Sequence, residues 1–316
     1  MKRYNQILIG ILIIQLILSI AVFWPKKSTA VEGELLFPDV EADNIVALTV
    51  SDADGNNIYL EKSASDWILP DAGNYPASPN KINPMLKKLI ELTTDRLVTR
   101  TDTSHKQLQV AVDEFVRRID FEVEDGTKHT IYLGSSPRYG AVHFRVDGQE
   151  EAYLTSDITT FEIKATADSW VDTAYLSIPQ AEIVGMTLEN SAGAFVFTHE
   201  GDGGDWTMEG LAMDETLNQT QVANIVQQAS SVNLTTPLGQ EEQADYRLDE
   251  PNAVVTLETE SQSITLRIGA KDPDAGGYVV ASSESSYYVK VSEVSVKKLI
   301  ESTREDFLQL PPTPTP

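Results

Sequence analysis

The stretch Ile45-Val46-Ala47-Leu48-Thr49-Val50 decides how this chain is read, because Ile183-Val184-Gly185-Met186-Thr187-Leu188 restates it 138 residues later. One match of six residues carries little; an unbroken series carries more. Asp66-Trp67 is followed at a similar interval by Asp205-Trp206, Val112-Asp113-Glu114 by Leu248-Asp249-Glu250, and Ile131-Tyr132-Leu133-Gly134 by Leu266-Arg267-Ile268-Gly269. Gly140 then pairs with Gly277, Ser156-Asp157-Ile158 with Ser292-Glu293-Val294, and Tyr175-Leu176 with Phe307-Leu308. The offset stays between 132 and 140 residues. The expectation is one folding unit written twice, over 44–179 and 180–311.

Within each unit the hydrophobic period sets the elements. Val46, Leu48 and Val50 share one face of a strand, as do Val184, Met186 and Leu188. A turn at Asp54-Gly55, and a Gly-rich one at 201–204, each close a hairpin ahead of the tryptophan. Ile82, Met85, Leu86, Leu89 and Ile90 then recur at helical spacing behind Asn80 as N-cap, and Val222, Ile225, Val226 and Ala229 do so behind Thr220. Alternation returns in Phe115, Arg117, Ile119, Phe121 and Val123 against Pro251, Ala253, Val255, Leu257 and Thr259. Its hairpin partner carries His129, Ile131 and Leu133 against Ile264, Leu266 and Ile268. Two short strands around Val142 and Tyr153, or Val279 and Tyr288, lead to a last helix capped by Ser156 or Ser292. The expected fold is α+β: two tandem repeats, each a mostly antiparallel sheet with two helices.

Upstream of the first unit, Ile7 to Trp24 is interrupted only by Gly10, Gln15 and Ser19. As a helix it would span roughly 27 Å, close to a bilayer's hydrocarbon thickness. Thirteen of its residues are Ile, Leu, Val or Phe, which together favour insertion by about 4 to 8 kcal/mol. Residues 1–24 are therefore expected to be a single transmembrane anchor, with the N-terminus cytoplasmic and the rest of the chain outside the plasma membrane. The competing reading is a signal peptide cleaved after Ser28-Thr29-Ala30, against which stands the bulky Trp24-Pro25-Lys26-Lys27. Residues 25–43, with Pro25, Pro38 and five acidic side chains, read as a polar linker, and 312–316 as a Pro/Thr tail.

Charge narrows the partners. The chain holds 24 basic and 48 acidic residues, and the first 30 positions take four of the former and none of the latter. The remainder carries a formal −28, a field that repels nucleic-acid backbones and anionic headgroups. Nucleic acid and nucleotide are excluded as expected partners. The absence of cysteine rules out disulfides, thiolate metal sites and a cysteine nucleophile.

The remaining chemistry-bearing residues fit structural roles. Asp52, Asp54, Asn56 and Asn57 resemble the start of a calcium loop, but the Gly55 spacing is wrong and no glutamate closes it. Asp202 and Asp205, and Asp272 and Asp274, are acidic loop residues of the same kind. His105, His129, His143 and His199 fall outside zinc-ligand spacing. Gly134-Ser135-Ser136-Pro137 is no nucleophile elbow, and no phosphate-binding glycine loop is present. No catalytic, cofactor or metal residue is assigned. Trp67 and Trp206, packing on the following helix, and Tyr153 and Tyr288 are the candidates for structural or interaction roles.

The order of anchor, tryptophan after a hairpin, amphipathic helix, Asp245-Tyr246-Arg247-Leu248-Asp249-Glu250-Pro251, Gly-ended strand pair and Gly277-Tyr278 resembles the domain of unknown function 4340. The first copy departs from it, with Phe115 in place of Pro251 and Val110-Ala111 in place of Tyr246-Arg247. The resemblance implies a membrane-anchored bacterial envelope protein associated with ABC-type transport systems of the gliding-motility auxiliary kind, and brings no catalytic residues. The expected function is a non-catalytic, extracytoplasmic interaction or scaffold protein accessory to such a complex. The alternative is a module that captures a sugar, peptide or cation in the groove between the repeats.

Overall fold

The computed structural model of the chain describes residues 33–199, 204–273 and 276–309, and Gln15 by itself. The expected anchor (apart from Gln15), residues 25–32, the glycines at 201–203, Asp202, Asp274 and the 312–316 tail lie outside the described residues. Among the described residues no helix is long and apolar enough to cross a membrane.

The first half contributes β1 (Ile45–Asp52), β2 (Asn57–Ser63), β3 (Asp66–Leu69), β4 (Tyr75–Pro76), α1 (Pro79–Ile90), β5 (Leu97–Thr99) and α2 (Asp102–Gln107). A small pair, β6 (Val110–Ala111) and β7 (Glu114–Phe115), precedes β8 (Arg117–Val123), β9 (Lys128–Leu133), β10 (Val142–Val146) and β11 (Ala152–Thr155). The second half holds β12 (Ala174–Ser177), β13 (Ile183–Asn190), β14 (Gly193–His199), β15 (Trp206–Met208), α3 (Gln219–Ser230) and β16 (Ser231–Gly239). It ends with β17 (Ala253–Thr259), β18 (Ser263–Lys271), β19 (Tyr278–Ser282), β20 (Tyr288–Val291) and α4 (Glu293–Glu301).

The strands form two nine-stranded sheets, ordered β4-β3-β2-β1-β8-β9-β10-β11-β5 and β12-β16-β20-β19-β18-β17-β13-β14-β15. Every ladder in them is antiparallel, so the fold is α+β with antiparallel sheets. Read from β15 inward, the second sheet has a three-strand meander, then β17 to β20, then the strand that follows the helix. The first sheet has the same sequence of roles from β3 to β5. The apolar stripe of α1, from Ile82, Met85, Leu86 and Leu89, and that of α3, from Val222, Ile225, Val226 and Ala229, are buried in one continuous core with Leu48, Val50, Met186 and Leu188.

Several expectations need correcting. β1 and β13 each carry a bulge, at Ile45/Ala47 and at Ile183/Gly185. The extra residue changes the phase, so Ile45 and Ile183 point to the core while Val46 and Val184 are only half-buried. α1 starts behind Ser78 rather than Asn80, with Pro79 at its first position. α3 starts behind Asn218, whose side chain accepts from the Gln221 N–H at 3.2 Å, rather than behind Thr220. Ser292 does cap α4. Ser156 caps no helix: the Asp157 N–H is bonded to the Thr155 hydroxyl, and Thr159 and Glu162 close a single turn. These local bonds compete with helix continuation. The second helix of the first half is instead α2, a short one placed elsewhere.

Residues 34–43, expected as linker, are folded onto the first sheet. The Leu36 N–H donates to Leu92 O at 2.9 Å, and buried Phe37 meets the rings of Phe121 and His129 edge-on. β5 and β16 were not expected as strands. β12, within the 44–179 range, pairs with β16 in the second sheet.

Candidate functional site

Trp67 on β3 is 5% exposed; it lines a small hollow with Pro79 and Leu86 of α1. Trp206 on β15 is half-buried, with its ring 5.0 Å from that of His199. Gln219, the first residue of α3, clamps it: its amide accepts from the Trp206 N–H at 2.8 Å and donates to the Trp206 carbonyl at 2.9 Å. The two surroundings differ: Trp67 meets helix residues with its side chain, whereas Trp206 is joined to α3 through its main chain and its ring lies against His199.

Tyr153 and Tyr288 do not occupy like positions. Tyr153 pairs with Phe144, stacks on it at 5.5 Å and faces the main core. On β20 that face belongs to Val289, and Tyr288 points to the opposite one, among Leu248, Val279, Ala281 and Tyr246. A one-residue slip in matching the copies exchanges the two faces of a strand. The Tyr288 hydroxyl donates to Glu242 at 3.1 Å.

On that second face both halves repeat a feature the sequence did not disclose. Gln109 (φ 56°) and Arg247 (φ 50°) each adopt the left-handed conformation. Each places the carbonyl just before it over a glycine, Leu108 O over Gly134 and Tyr246 O over Gly269. The residue after each, Val110 or Leu248, is buried against the sheet. An arginine holds that residue's carbonyl in each half, but from strands that do not correspond: Arg145 Nε on β10 donates to Val110 O at 2.8 Å, and Arg267 on β18 to Leu248 O at 3.2 Å. By this geometry Leu108-Gln109-Val110, not Val110-Ala111, stands where Tyr246-Arg247-Leu248 does in the other half, and the β6–β7 pair accounts for the two additional residues of the first half. Arg145 is buried, lies 4.8 Å from the Tyr132 ring centre, and also donates to Gln149 O at 3.1 Å.

The titratable candidates hold structural posts. His143 is buried, and its Nδ1 bonds Ser135 O at 2.8 Å, while the Ser135 hydroxyl reaches Leu108 O at 3.1 Å. The Ser135 Oγ also lies 3.1 Å from His143 Nδ1, so the two side chains and the Leu108 and Ser135 carbonyls form one local network. Burial lowers the His143 pKa against the opposing Ser135 bond, and burial likewise lowers that of His129. His105 Nε2 bonds Glu150 O at 2.7 Å. Burial raises the Asp52 carboxyl, but bonds from the Asn56 side chain and from the Asn56 and Asp54 N–H groups outweigh it and hold the pKa low. Asp52 is the keystone of a hairpin turn. Asp272 is ion-paired with Lys290. Among the described residues no group of three or more His, Asp or Glu is placed to hold a metal.

The halves meet where the 3₁₀ turn Pro70–Ala72 reaches the end of β16. A Cβ on Gly73 would stand 2.7 Å from Gly239 Cα, so the backbones touch. Tyr75 packs edge-on against Tyr287 at 4.7 Å, and the Tyr287 hydroxyl donates to Asn74 O at 3.2 Å. The Tyr175 hydroxyl bridges, donating to Tyr287 O at 2.7 Å and accepting from the Ser282 N–H at 2.9 Å. Burial, with the nearby Tyr175, pushes the Tyr75 phenol up to about 12. Away from this junction, a groove between α3 and α4 is lined by Gln221, Gln228, Val294, Lys297, Lys298 and Glu301. Gln228 donates to Val294 O at 2.9 Å, and its Oε1 is buried without a partner.

These contacts are chiefly ones that brace the sheets and join the two halves. The fold defines a class of two-sheet, antiparallel α+β protein with helices over the shared core. The chain belongs to the family described as Domain of unknown function (DUF4340), whose model matches residues 67–236. The matched segment runs from β3 of the first sheet into β16 of the second. No curated protein and no solved structure matches the chain.

Proposed function

We propose that the chain is a non-catalytic interaction protein built from two tandem copies of one α+β unit. In this reading the hydrophobic segment 7–24 tethers it to the plasma membrane, with the N-terminus cytoplasmic and the acidic units outside, as an accessory of an ABC-type transport complex. The observation that carries the copy reading is the recurrence, in both halves, of a left-handed residue with a glycine beneath the preceding carbonyl and the following residue buried on the sheet. The close-packed junction at Gly73 and Gly239 supports a stiff platform rather than two loose modules. The formal −28 of residues 31–316 favours a partner with a basic face. Crosslinking in native membranes followed by mass spectrometry tests this. Transporter subunits should be enriched, and recovery of the chain alone would count against it.

One observation favours a second reading, ligand capture. A groove does exist, but it lies between α3 and α4 of the second half rather than between the halves, with Gln221, Gln228, Lys297 and Lys298 as its polar lining. A thermal-shift screen of the full chain with oligosaccharides, peptides and divalent ions decides it, since a ligand that binds the folded state raises the midpoint. No shift with any of them removes this reading.

A further inference from the structure

The intrachain junction has two sides, and each side has an unused counterpart. On the second unit the receiving side is the end of β16, where Gly239 pairs with Tyr288 and Pro237 with Val289. In the first unit the same places in the ladder are held by Thr99, paired with Ala152, and Leu97, paired with Tyr153. β5 ends its sheet, so among the described residues this edge has no strand beyond it. Leu97 and Val98 are exposed there at 41% and 45%.

The docking side in the first unit is the segment after β3, Pro70 to Tyr75, which buries Ala72 and Tyr75. After β15 the corresponding segment is Glu209-Gly210-Leu211-Ala212-Met213-Asp214, all six residues exposed, with Met213 fully so. An apolar pair on each surface thus stands uncovered where the other half of the molecule has a contact. Charge fits as well: exposed Arg96 and Arg100, the latter already paired with Glu151 at 3.2 Å, flank Leu97 and Val98, and exposed Glu209 and Asp214 flank Leu211 and Met213. In a chain of net charge −24 two copies repel at large. Local pairs of opposite sign therefore set the orientation in which they can meet.

We propose that the chain associates head to tail with a second copy of itself, the Glu209–Asp214 segment of one copy docking on the β5 edge of the next. This rests on reading the two halves as copies of one unit. The contact joins unlike surfaces, so each copy keeps one free surface of each kind and the assembly grows as a row or closes as a ring.

The natural absence of cysteine makes the test clean. Full-length Val98→Cys and Met213→Cys chains are mixed in a mild detergent and treated with a short bismaleimide. The expected result is a mixed dimer in at least tenfold excess over that from Val112→Cys with Met213→Cys, a control at another exposed apolar residue. Equal yields, no dimer, or dimers of like variants in preference to mixed ones would overturn the proposal. A single chain carrying Asp71→Cys and Gln240→Cys reports the intrachain junction in the same reaction. If that link forms while the mixed dimer does not, self-association falls and the junction stands; if it too fails, the junction from which the proposal was drawn falls with it.

Discussion

Replacing Gly134 by alanine tests the idea that a turn is pressed onto the sheet. A Cβ there would lie 2.7 Å from both Gln109 O and Val110 Cγ1, and closer still to Leu108 O, where 3.0 Å is the least that real Cβ atoms show. Nothing flexible is in the way, because two of the three neighbours are main-chain oxygens. The turn must lift. Leu108 O then loses the bonds from the Ser135 N–H at 2.8 Å and the Ser135 hydroxyl at 3.1 Å. Each is worth about 0.5 to 1.5 kcal/mol. Partial unpacking of fully buried Val110 adds on the order of 1 kcal/mol. The expected loss is about 2 to 4 kcal/mol, read by urea unfolding of the full chain through tryptophan fluorescence. Gly269→Ala, under Tyr246 O, should cost a similar amount. Gly148→Ala is the control: its φ of 76° carries strain of roughly 1 to 2 kcal/mol, but a Cβ would meet nothing within 4 Å. If Gly134→Ala unfolds at the wild-type midpoint, the account of this turn is wrong.

Other perturbations follow from the same packing. Arg145→Met should cost about 2 to 4 kcal/mol in the same assay, since it strips donors from Val110 O and Gln149 O beneath the first sheet. Ser292→Ala removes the cap of α4 and should cost about 1 kcal/mol, with the loss of helical signal on heating confirming the site. Burial lowers the folded pKa of His129 and His143 below the 6.5 of the free side chain. The unfolded chain therefore binds protons first, and stability should fall as pH drops below about 6.5. A His129→Phe, His143→Asn chain should show a flatter profile between pH 7 and 5, and an unchanged slope would sink this attribution. Tyr287→Ala removes the ring on Tyr75 and the bond to Asn74 O, and should split unfolding into two transitions visible by calorimetry.

The parts of this fold legible in the sequence are those governed by local periodicity. The buried stripes of α1 and α3 and the alternation of Ile119, Phe121 and Val123 each depend on neighbours three, four or two residues away. β16 was hidden because it follows α3 with no break, Ser231 coming directly after Ser230. β5 is only three residues long and takes its place from a distant strand. Matching Tyr153 with Tyr288 failed because a single-residue gap is invisible to residue type yet reverses a side chain. The junction tyrosines were unreadable for a different reason: Tyr75, Tyr175 and Tyr287 are brought together by tertiary packing alone. Two signals were available, Gly73-Asn74 as a turn and the arginine that follows Tyr246, but neither says what lies across from it.

The strand β12 has one further consequence, which concerns the order of events at the ribosome. All the strands of the first sheet lie between Ile45 and Thr155, so that sheet can close while the remainder of the chain is still being made. β12 emerges next, yet among the described residues its only neighbour in the finished sheet is β16, and Ser231–Asn233 are translated much later. During that interval Tyr175 and Leu176 travel uncovered. The join between the units is thus the last thing ready: the Tyr175 hydroxyl waits not only for β16 but for Ser282 and Tyr287, which are translated later still.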